Sequence, residues 1–431
     1  MNRAKGLFLC ILWSWLVCGP AVAWETTGSL REWDTSPFRP YDIAVTSDGK
    51  AWMTYRNVSG AGWPEGIIMR LDPTSGSQAL FGTPPAWGDV GFQTIERASD
   101  DTLWVTDDIG DRLVRVVGTS GAVGFQEFPI PSPPFGSPAE PFGVRIARDG
   151  SIWFTCWGDP SLGRYVPATG TWQRFAPPGG FNGGLPVDIA FAENGTVWFT
   201  IKEVPSADPQ PGLGRLIPGT GAFTLWTGDP YIGIRNPFGI LMVDGLIWFL
   251  DHTASLLIRF DPATSTFSRF PMQLNSDAHF LVADPDGKLW MTAFGNSRIY
   301  TFDTDMYSFE SFGLLDVTNV GPMGIALGFN GDVWWAESYS ADLGGAGRFI
   351  PKQVFGLFLG RSSSCDLSRA ISDLQCLGIT IQDGATLDMG SGVIENIGRL
   401  KMEEGGILIR GSAMTTNPCF GFIPVILMMM E

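Results

Sequence analysis

The chain has 431 residues but only two histidines, His252 and His279, and proton transfer near neutral pH would begin with them. His252 follows Asp251, yet neighbours on a strand point to opposite faces, so adjacency does not pair them. His279 opens one of the repeated units described below and is the better-placed base. Glu337 ends the Trp strand of the last unit and would join such a site by a local shift. Two imidazoles are too few for a multi-histidine zinc or copper site. A metal would therefore rest mainly on oxygen ligands, which favours Mg²⁺ or Ca²⁺. Asp42, Asp107, Asp188 and Asp251 recur at related places in separate units and are the carboxylates that such a cation would use. The plainer reading of the same four is the solvated rim of an acidic protein. Cys156 lies near them, but no base beside it is evident, so a buried or disulfide role is expected.

What scaffold would bring these groups together? Charged residues make up 17% of the chain and hydrophobic ones 44%, which excludes a disordered or coiled-coil protein. The 55 glycines and 31 prolines argue against a mainly helical one. A net charge of −16 excludes a general nucleic-acid binder, which needs clustered Lys and Arg against phosphate.

A phrase recurs in seven units: a proline, a few apolar residues, a turn dipeptide, then Trp three residues on, with blade 2 degenerate and blade 6 opening on His279. Pro40-Tyr41-Asp42-Ile43 … Asp48-Gly49-Lys50-Ala51-Trp52 and Pro141-Phe142-Gly143-Val144 … Asp149-Gly150-Ser151-Ile152-Trp153 are clear copies. The others centre on Trp104, Trp198, Trp248, Trp290 and Trp334, and the Trp spacings are 52, 49, 45, 50, 42 and 44. Asp-Gly and Asn-Gly provide the positive φ of tight hairpins. A second hairpin follows in each unit, such as Arg164-Tyr165-Val166-Pro167 … Gly170 … Phe175. Two hairpins make a four-stranded sheet. Seven such sheets predict an all-β fold, a seven-bladed β-propeller over residues 24–351 with Trp packed between blades. The last unit lacks a fourth strand, and Ser29-Leu30-Arg31-Glu32-Trp33 resembles the missing one, so the N-terminal strand should close the ring.

Residues 1–23 read as a signal peptide: Arg3 and Lys5, a short apolar run, then Ala21-Val22-Ala23. The expected location is secreted, periplasmic or cell-surface. Cys156, Cys365, Cys376 and Cys419 then remain, with three possible full pairings. Residues 352–431 leave the repeat and predict a small β-rich region with one short helix. Leu367, Ala370, Ile371, Leu374 and Leu377 have helical spacing, with Ser364 as a cap. Short strands cut by glycine follow, as in a β-helix or a small sandwich. The apolar tail 420–430 is too short for a membrane span and would serve packing or assembly.

The units Pro-x-Gly-Ile … Asp-Gly-x-x-Trp-Phe-Thr and Gly-Arg-(Leu/Phe)-Ile-Pro resemble the streptogramin B lyase family, most clearly at Phe142–Thr155, Pro186–Thr200 and Pro322–Glu337. The resemblance implies a seven-bladed propeller that opens a cyclic peptide at its ester bond by elimination, with Mg²⁺ and a His/Glu pair. The family's essential His would fall on Met323, the acid two residues before it on Gly321, and its second Glu on Ser338, one residue after Glu337. A further family His matches His279. Methionine exchanges no proton, so the general-base step lacks its usual residue.

In such a unit, the start of the innermost strand and the end of the Trp strand reach one face of the disc. That face should expose Tyr41, Asp42, Tyr55, Arg56, Gln93, Asp107, Asp108, Asp188, Lys202, Glu203, Asp251, His252, His279 and Glu337. The leading expectation is an exported propeller that binds a small molecule or an extracellular surface component there. Its competitor is a Mg²⁺-dependent lyase or lactone-opening enzyme working through His279, Glu337 and the axial carboxylates.

Overall fold

The computed structural model describes residues 28–351, apart from loop stretches at 37, 56–65, 137, 205–209, 228–232, 315–320, 330 and 339–343, and seven strands between 356 and 416. Residues Leu30–Ile350 form one compact unit, and the C-terminal residues from Pro351 fall in another. The first unit is seven four-stranded antiparallel sheets, each in the order of its strands along the chain, with one exception. In blade 7 the strand Gly28–Asp34 pairs on the outside of Gly345–Pro351, so the N-terminal strand completes the sheet as the sequence implied. Closure in this way leaves no ragged blade at the seam.

The hairpin turns have the chemistry expected of them. Gly49, Gly150, Gly195, Gly245 and Gly287 all hold positive φ between 75° and 81°. Blade 2 has Asp101 in glycine's place with φ 62°, and its carboxylate is used: it accepts from the Ser47 backbone N–H of blade 1 at 3.0 Å. The repeated Trp residues are buried and belong to cores shared with the next blade. Trp52 packs with Val90, Phe92 and Val105 of blade 2, and Trp334 with Ile43, Val45 and Met53 of blade 1.

Every innermost strand carries a β-bulge at its entry. In blade 3, Pro141 faces Cys156 but Val144 faces Phe154, so three steps on one strand match two on its neighbour. The same shift occurs between Pro40 and Ile43, Phe92 and Ile95, Pro186 and Ile189, Pro237 and Ile240, Ala278 and Leu281, and Pro322 and Ile325. A bulge takes one N–H out of the ladder and re-aims a side chain. Here the freed N–H is met by the Thr two residues after the repeated Trp. Thr155 Oγ1 accepts from Gly143 N–H at 2.8 Å and donates to the Val187 carbonyl of the next blade at 3.0 Å. Thr200 links Asp188 N–H to the Phe238 carbonyl, at 3.2 and 2.6 Å. Thr54, Thr106 and Thr292 make the same bridge. Blades 5 and 7 have Leu250 and Ala336 at that position.

The C-terminal strands pair in parallel in two sheets: 356–359, 377–381, 393–402 and 413–416 in one, and 364–366, 386–388 and 407–409 in the other. Gly356 pairs with Gly378, Ser364 with Thr386, and Val393 with Ala413. Strands of the two sheets alternate along the chain, which is the topology of a β-solenoid and not of a hairpin-built sandwich. The helix expected from Ser364 onwards is corrected at both ends: Ser364–Asp366 and Leu377–Ile381 are strands, recruited by ladder pairing with 386–388 and 393–402. The remaining helical positions 367–376, Cys376, Cys419, the apolar tail and the signal segment lie outside the described residues.

The threonine bridge gives a direct stability test. Thr200 is fully buried, so Thr200→Val keeps the shape but strands one N–H and one carbonyl. We expect a loss of about 2 kcal/mol, against about 1 kcal/mol or less for Thr200→Ser, which retains the hydroxyl. Chemical denaturation of both variants measures this, and equal losses would contradict the bridge.

Candidate functional site

The first residue of each bulge turns toward the hub. These seven residues are Tyr41, Gln93, Phe142, Val187, Phe238, His279 and Met323. Five of them, Tyr41, Phe142, Val187, Phe238 and Met323, share one buried cluster with Phe280 and Ile325. The hub is therefore closed by an apolar, mostly aromatic plug, with His279 and Gln93 as its polar members.

In blades 3 to 6 the fourth residue after the repeated Trp forms a second layer. Trp157, Lys202, His252 and Phe294 hold this position in blades 3 to 6. Trp157 stacks on Phe142 with ring centroids 3.9 Å apart, and Lys202 Nζ sits 3.4 Å over the indole. Such a cation over a Trp face is an attractive electrostatic contact. Phe142 meets Phe238 edge-on at 6.4 Å, and Phe238 meets both imidazoles, His252 at 5.2 Å and His279 at 4.8 Å. Phe294 packs on His279 at 5.7 Å. One aromatic strip thus runs from Lys202 to the histidine pair.

At that end the two histidines, far apart in sequence, stack with ring centroids 5.0 Å apart and planes 23° from parallel. The loop residue Asp277 ties them together. Its carboxylate bonds His252 Nδ1, and its backbone carbonyl lies 2.8 Å from His279 Nδ1. Burial alone would raise the Asp277 carboxyl, but the His252 hydrogen bond and the two imidazoles hold it below its ordinary value. Burial, followed by the charge of His252, pushes His279 down to about 4. Among the described residues this trio is the one group of three His, Cys, Asp or Glu side chains whose ligand atoms all lie within 4.8 Å of one another.

The other expected site residues are placed differently. Tyr41, Asp42, Gln93, Asp107, Asp188, Asp251, His279 and Glu337 are buried, not exposed. The loops entering and leaving the inner hairpin fold over them. Asp107 accepts from the N–H groups of Gly91 and Gly110 at 2.7 and 2.9 Å and pairs with Arg112 at 2.7 Å. Asp251 accepts from Arg235, Asn236 and Ala254 backbone N–H groups. Glu337, at the same repeat position, accepts from Trp335 Nε1 at 2.8 Å. Asp42 and Asp188 sit second in their bulges and bond the N–H of the following residue and that of the next blade, Ile95 and Ile240. Gln93 donates to Asp108 at 2.7 Å, and Tyr55 donates to Met69 Sδ. Glu203 is exposed, and Arg56 lies outside the described residues. Cys156 is a buried free thiol whose pKa burial raises.

The family implied by the sequence uses Mg²⁺, and the donors here do not suit it. A hard cation wants six or more oxygens, whereas Asp42, Asp107, Asp188 and Asp251 spend theirs on backbone N–H groups and arginine. The convergent donors are two imidazoles and one carboxylate.

Asp277, Trp157 and Phe294 were missed by sequence reasoning. Trp157 and Phe294 share the repeat position of Lys202 and His252, which was the available signal. Asp277 stands two residues before His279, the acid-x-His spacing that the family carries one blade later.

At the other end of the inner strands lies a cavity of about 420 Å³, walled by Ile240, Leu281 and Ile325 and floored by Asp42, Glu96 and Arg145. Arg145 pairs with Glu96 at 3.2 Å and with Asp188 at 2.8 Å.

Known proteins resemble this chain over the propeller. The family model described as the Virginiamycin B lyase family matches residues 30–341. A virginiamycin B lyase from Nocardia farcinica (strain IFM 10152) is 26% identical over 249 residues, which is 58% of this chain and 75% of that protein. The selenomethionine-substituted virginiamycin B lyase from Staphylococcus aureus superposes with a TM-score of 0.61 at 20% identity, covering 75% of this chain and 99% of its own. A streptogramin B lyase structure gives 0.61 at 24% identity, covering 75% and 98%. A catalytically inactive S. aureus virginiamycin B lyase with quinupristin gives 0.60 at 21% identity, covering 75% and 100%. At these identities the superpositions establish the fold.

Burial lifts the Asp42 carboxyl from 3.8 to about 7 against the opposing pull of its backbone bonds and Arg145. Between those values the folded chain holds a proton that the unfolded chain has released. The resulting stability is fully present below pH 4 and is lost as pH rises through about 7. Denaturant titrations from pH 4 to 8 should therefore show Asp42→Asn gaining on the wild type as pH rises. A pH-independent difference would contradict the buried neutral carboxyl.

Proposed function

The chain belongs to the virginiamycin B lyase family, and from that premise we propose that it is an exported propeller binding a compact aromatic or cyclic small molecule on the strip between Lys202 and His279. The observation that carries this reading is the Phe142–Trp157 stack capped by the Lys202 ammonium and continued by Phe238 to the imidazoles. An aromatic lining with a few convergent polar groups is how small-molecule sites are built. Export rests on the Ala21-Val22-Ala23 processing pattern after a short apolar run. The parallel C-terminal strands serve attachment or assembly in this reading, as a stack whose ends accept further strands.

The family's elimination is not assigned to its usual positions here, because Met323 lies in the apolar plug and Gly321 has no side chain to offer. A second reading, an ester- or lactone-opening enzyme, is favoured by one observation, the His252–Asp277 hydrogen bond. A carboxylate-held imidazole at the mouth of a site is a general base in waiting.

Calorimetric titration with quinupristin, the ligand named for one structural relative, tests the binding reading, with aromatic esters as a second panel. We expect measurable binding that weakens at least tenfold in Trp157→Ala. Equal affinity in that variant, or no binding across either panel, would overturn the strip as the site. Hydrolysis of 4-nitrophenyl acetate that disappears in His252→Ala would instead install the enzymatic reading.

A further inference from the structure

We propose that His252 and His279, oriented by Asp277, form a site for one divalent transition-metal ion, with zinc as the representative case, in place of the Mg²⁺ expected from the family. The proposal goes beyond the ligand-binding reading and does not depend on it, since its probe is the metal alone.

The geometry has the two layers that such a site needs. A ligating imidazole characteristically donates its second ring N–H to a carboxylate or a backbone carbonyl, which fixes the tautomer and turns the other nitrogen's lone pair outward. Both histidines are arranged in that way by a single residue. His252 Nδ1 is held by the Asp277 carboxylate and His279 Nδ1 by the Asp277 carbonyl. Each Nδ1 therefore carries its proton, and each Nε2 offers a lone pair. Neither Nε2 has a hydrogen-bond partner among the described residues. The two rings stack with centroids 5.0 Å apart and planes 23° from parallel, and with both Nδ1 atoms turned to Asp277 the two Nε2 atoms face away from it on neighbouring rings.

Tetrahedral zinc with Zn–N bonds of about 2.0–2.1 Å needs donor nitrogens about 3.3 Å apart, closer than the 5.0 Å between the ring centroids, so the two rings tilt toward each other when the site closes. Asp277 is the orienting group, because a carboxylate bonded to Nδ1 lies across the ring from a metal on Nε2. The two imidazoles leave two coordination positions for outside oxygen ligands.

The donor chemistry selects the metal. Imidazole suits zinc, cobalt, nickel and iron, whereas Mg²⁺ and Ca²⁺ prefer oxygen throughout. The surroundings help as well. Phe238 and Phe294 pack edge-on against the imidazoles at 4.8–5.7 Å and form an apolar shell that limits competing water. A metal here and a general base at His252 exclude each other, because one Nε2 lone pair serves only one of them.

The chain's two histidines make the experiment unambiguous. Long-range ¹H–¹⁵N spectra of the full-length protein, stripped with EDTA, show two imidazoles and no others. Titration with Zn²⁺ should move both Nε2 resonances together and saturate at one equivalent, while millimolar Mg²⁺ or Ca²⁺ leaves them in place. Co²⁺ should give visible bands of the same stoichiometry. His252→Ala and His279→Ala should each weaken Zn²⁺ binding at least a hundredfold, and Asp277→Asn ten- to a hundredfold.

The proposal fails if neither imidazole moves with Zn²⁺, if only one does, or if the doubly substituted His252→Ala/His279→Ala protein binds Zn²⁺ as tightly as the wild type. The wild-type titration needs no variant to fold, so the test stands even if a substitution disturbs the structure. Loss of quinupristin binding in Trp157→Ala leaves the zinc result untouched, which keeps the two readings separable.

Discussion

At five of the seven blade boundaries one threonine hydroxyl holds this propeller's centre together. The inner strand of every blade must crowd against its neighbours near the axis, where there is no room for a full ladder between blades. The bulge and the threonine solve this jointly. The bulge releases an N–H that would otherwise be buried without a partner, and Thr Oγ1 accepts it while passing its own proton to the next blade's carbonyl. Two orphan groups on different sheets are satisfied by one side chain. Where the threonine is missing, the blades still meet closely. A Cβ at Gly239 of blade 5 would stand 2.7 Å from the His279 carbonyl, so glycine there keeps the approach possible. The backbone has already dealt with its own polar groups by the time the first bulge residue turns inward. That leaves the seven hub positions chemically free. Tyr, Gln, Phe, Val, His and Met all occur there without a change in the strand geometry around them.

The same economy explains the carboxylates. The turns after the Trp strands of blades 2 and 5 are short, and N–H groups there and in the loops entering those blades point at one carboxylate. Asp107 and Asp251 cap those loops with three hydrogen bonds each. Asp42 and Asp188 reach across to the neighbouring blade's N–H groups, and Thr94 does so with a hydroxyl at the equivalent bulge position. These acids are fasteners placed where the repeat places them. Burial raises the pKa values of Asp42, Glu96 and Asp188, and Arg145 opposes it for all three. The fastening thus carries an electrostatic cost at neutral pH that the single guanidinium only partly offsets.

This division between backbone repair and hub chemistry also explains what sequence reading could recover. Blade number, the Trp cores and closure by the Ser29–Trp33 strand follow from spacing and turn dipeptides, because those features repeat and each copy vouches for the others. The partners of the acidic residues do not follow, since an aspartate that caps a loop and one that binds a cation look alike until the N–H groups around it are located. Strand alternation was right to separate Asp251 from His252: the first turns into the loop at Arg235 and Asn236, the second toward Asp277. Alternation could not find Asp277 as the partner. That residue lies in the loop ahead of blade 6, and no periodicity reaches it. The C-terminal strands were visible as glycine-cut apolar runs, but their parallel pairing depends on residues about twenty positions apart, which local pattern does not encode.

The hub positions also show how one propeller can exchange its chemistry for another's. In blade 7 the residue that turns inward is Met323, preceded two residues earlier by Gly321. In blade 6 it is His279, preceded two residues earlier by Asp277. The acid-x-His pattern therefore stands one blade upstream of where the family resemblance puts it, on a backbone that repeats the same bulge. A shift by one blade rotates the polar centre about the axis without altering the fold. It brings the polar centre beside the Trp157–Lys202 strip instead of beside Glu337, which Trp335 already holds. The strip beside the histidines spans blades 3 to 6 and is made of side chains, Trp157, Lys202 and Phe294 among them, that the repeat leaves free to vary.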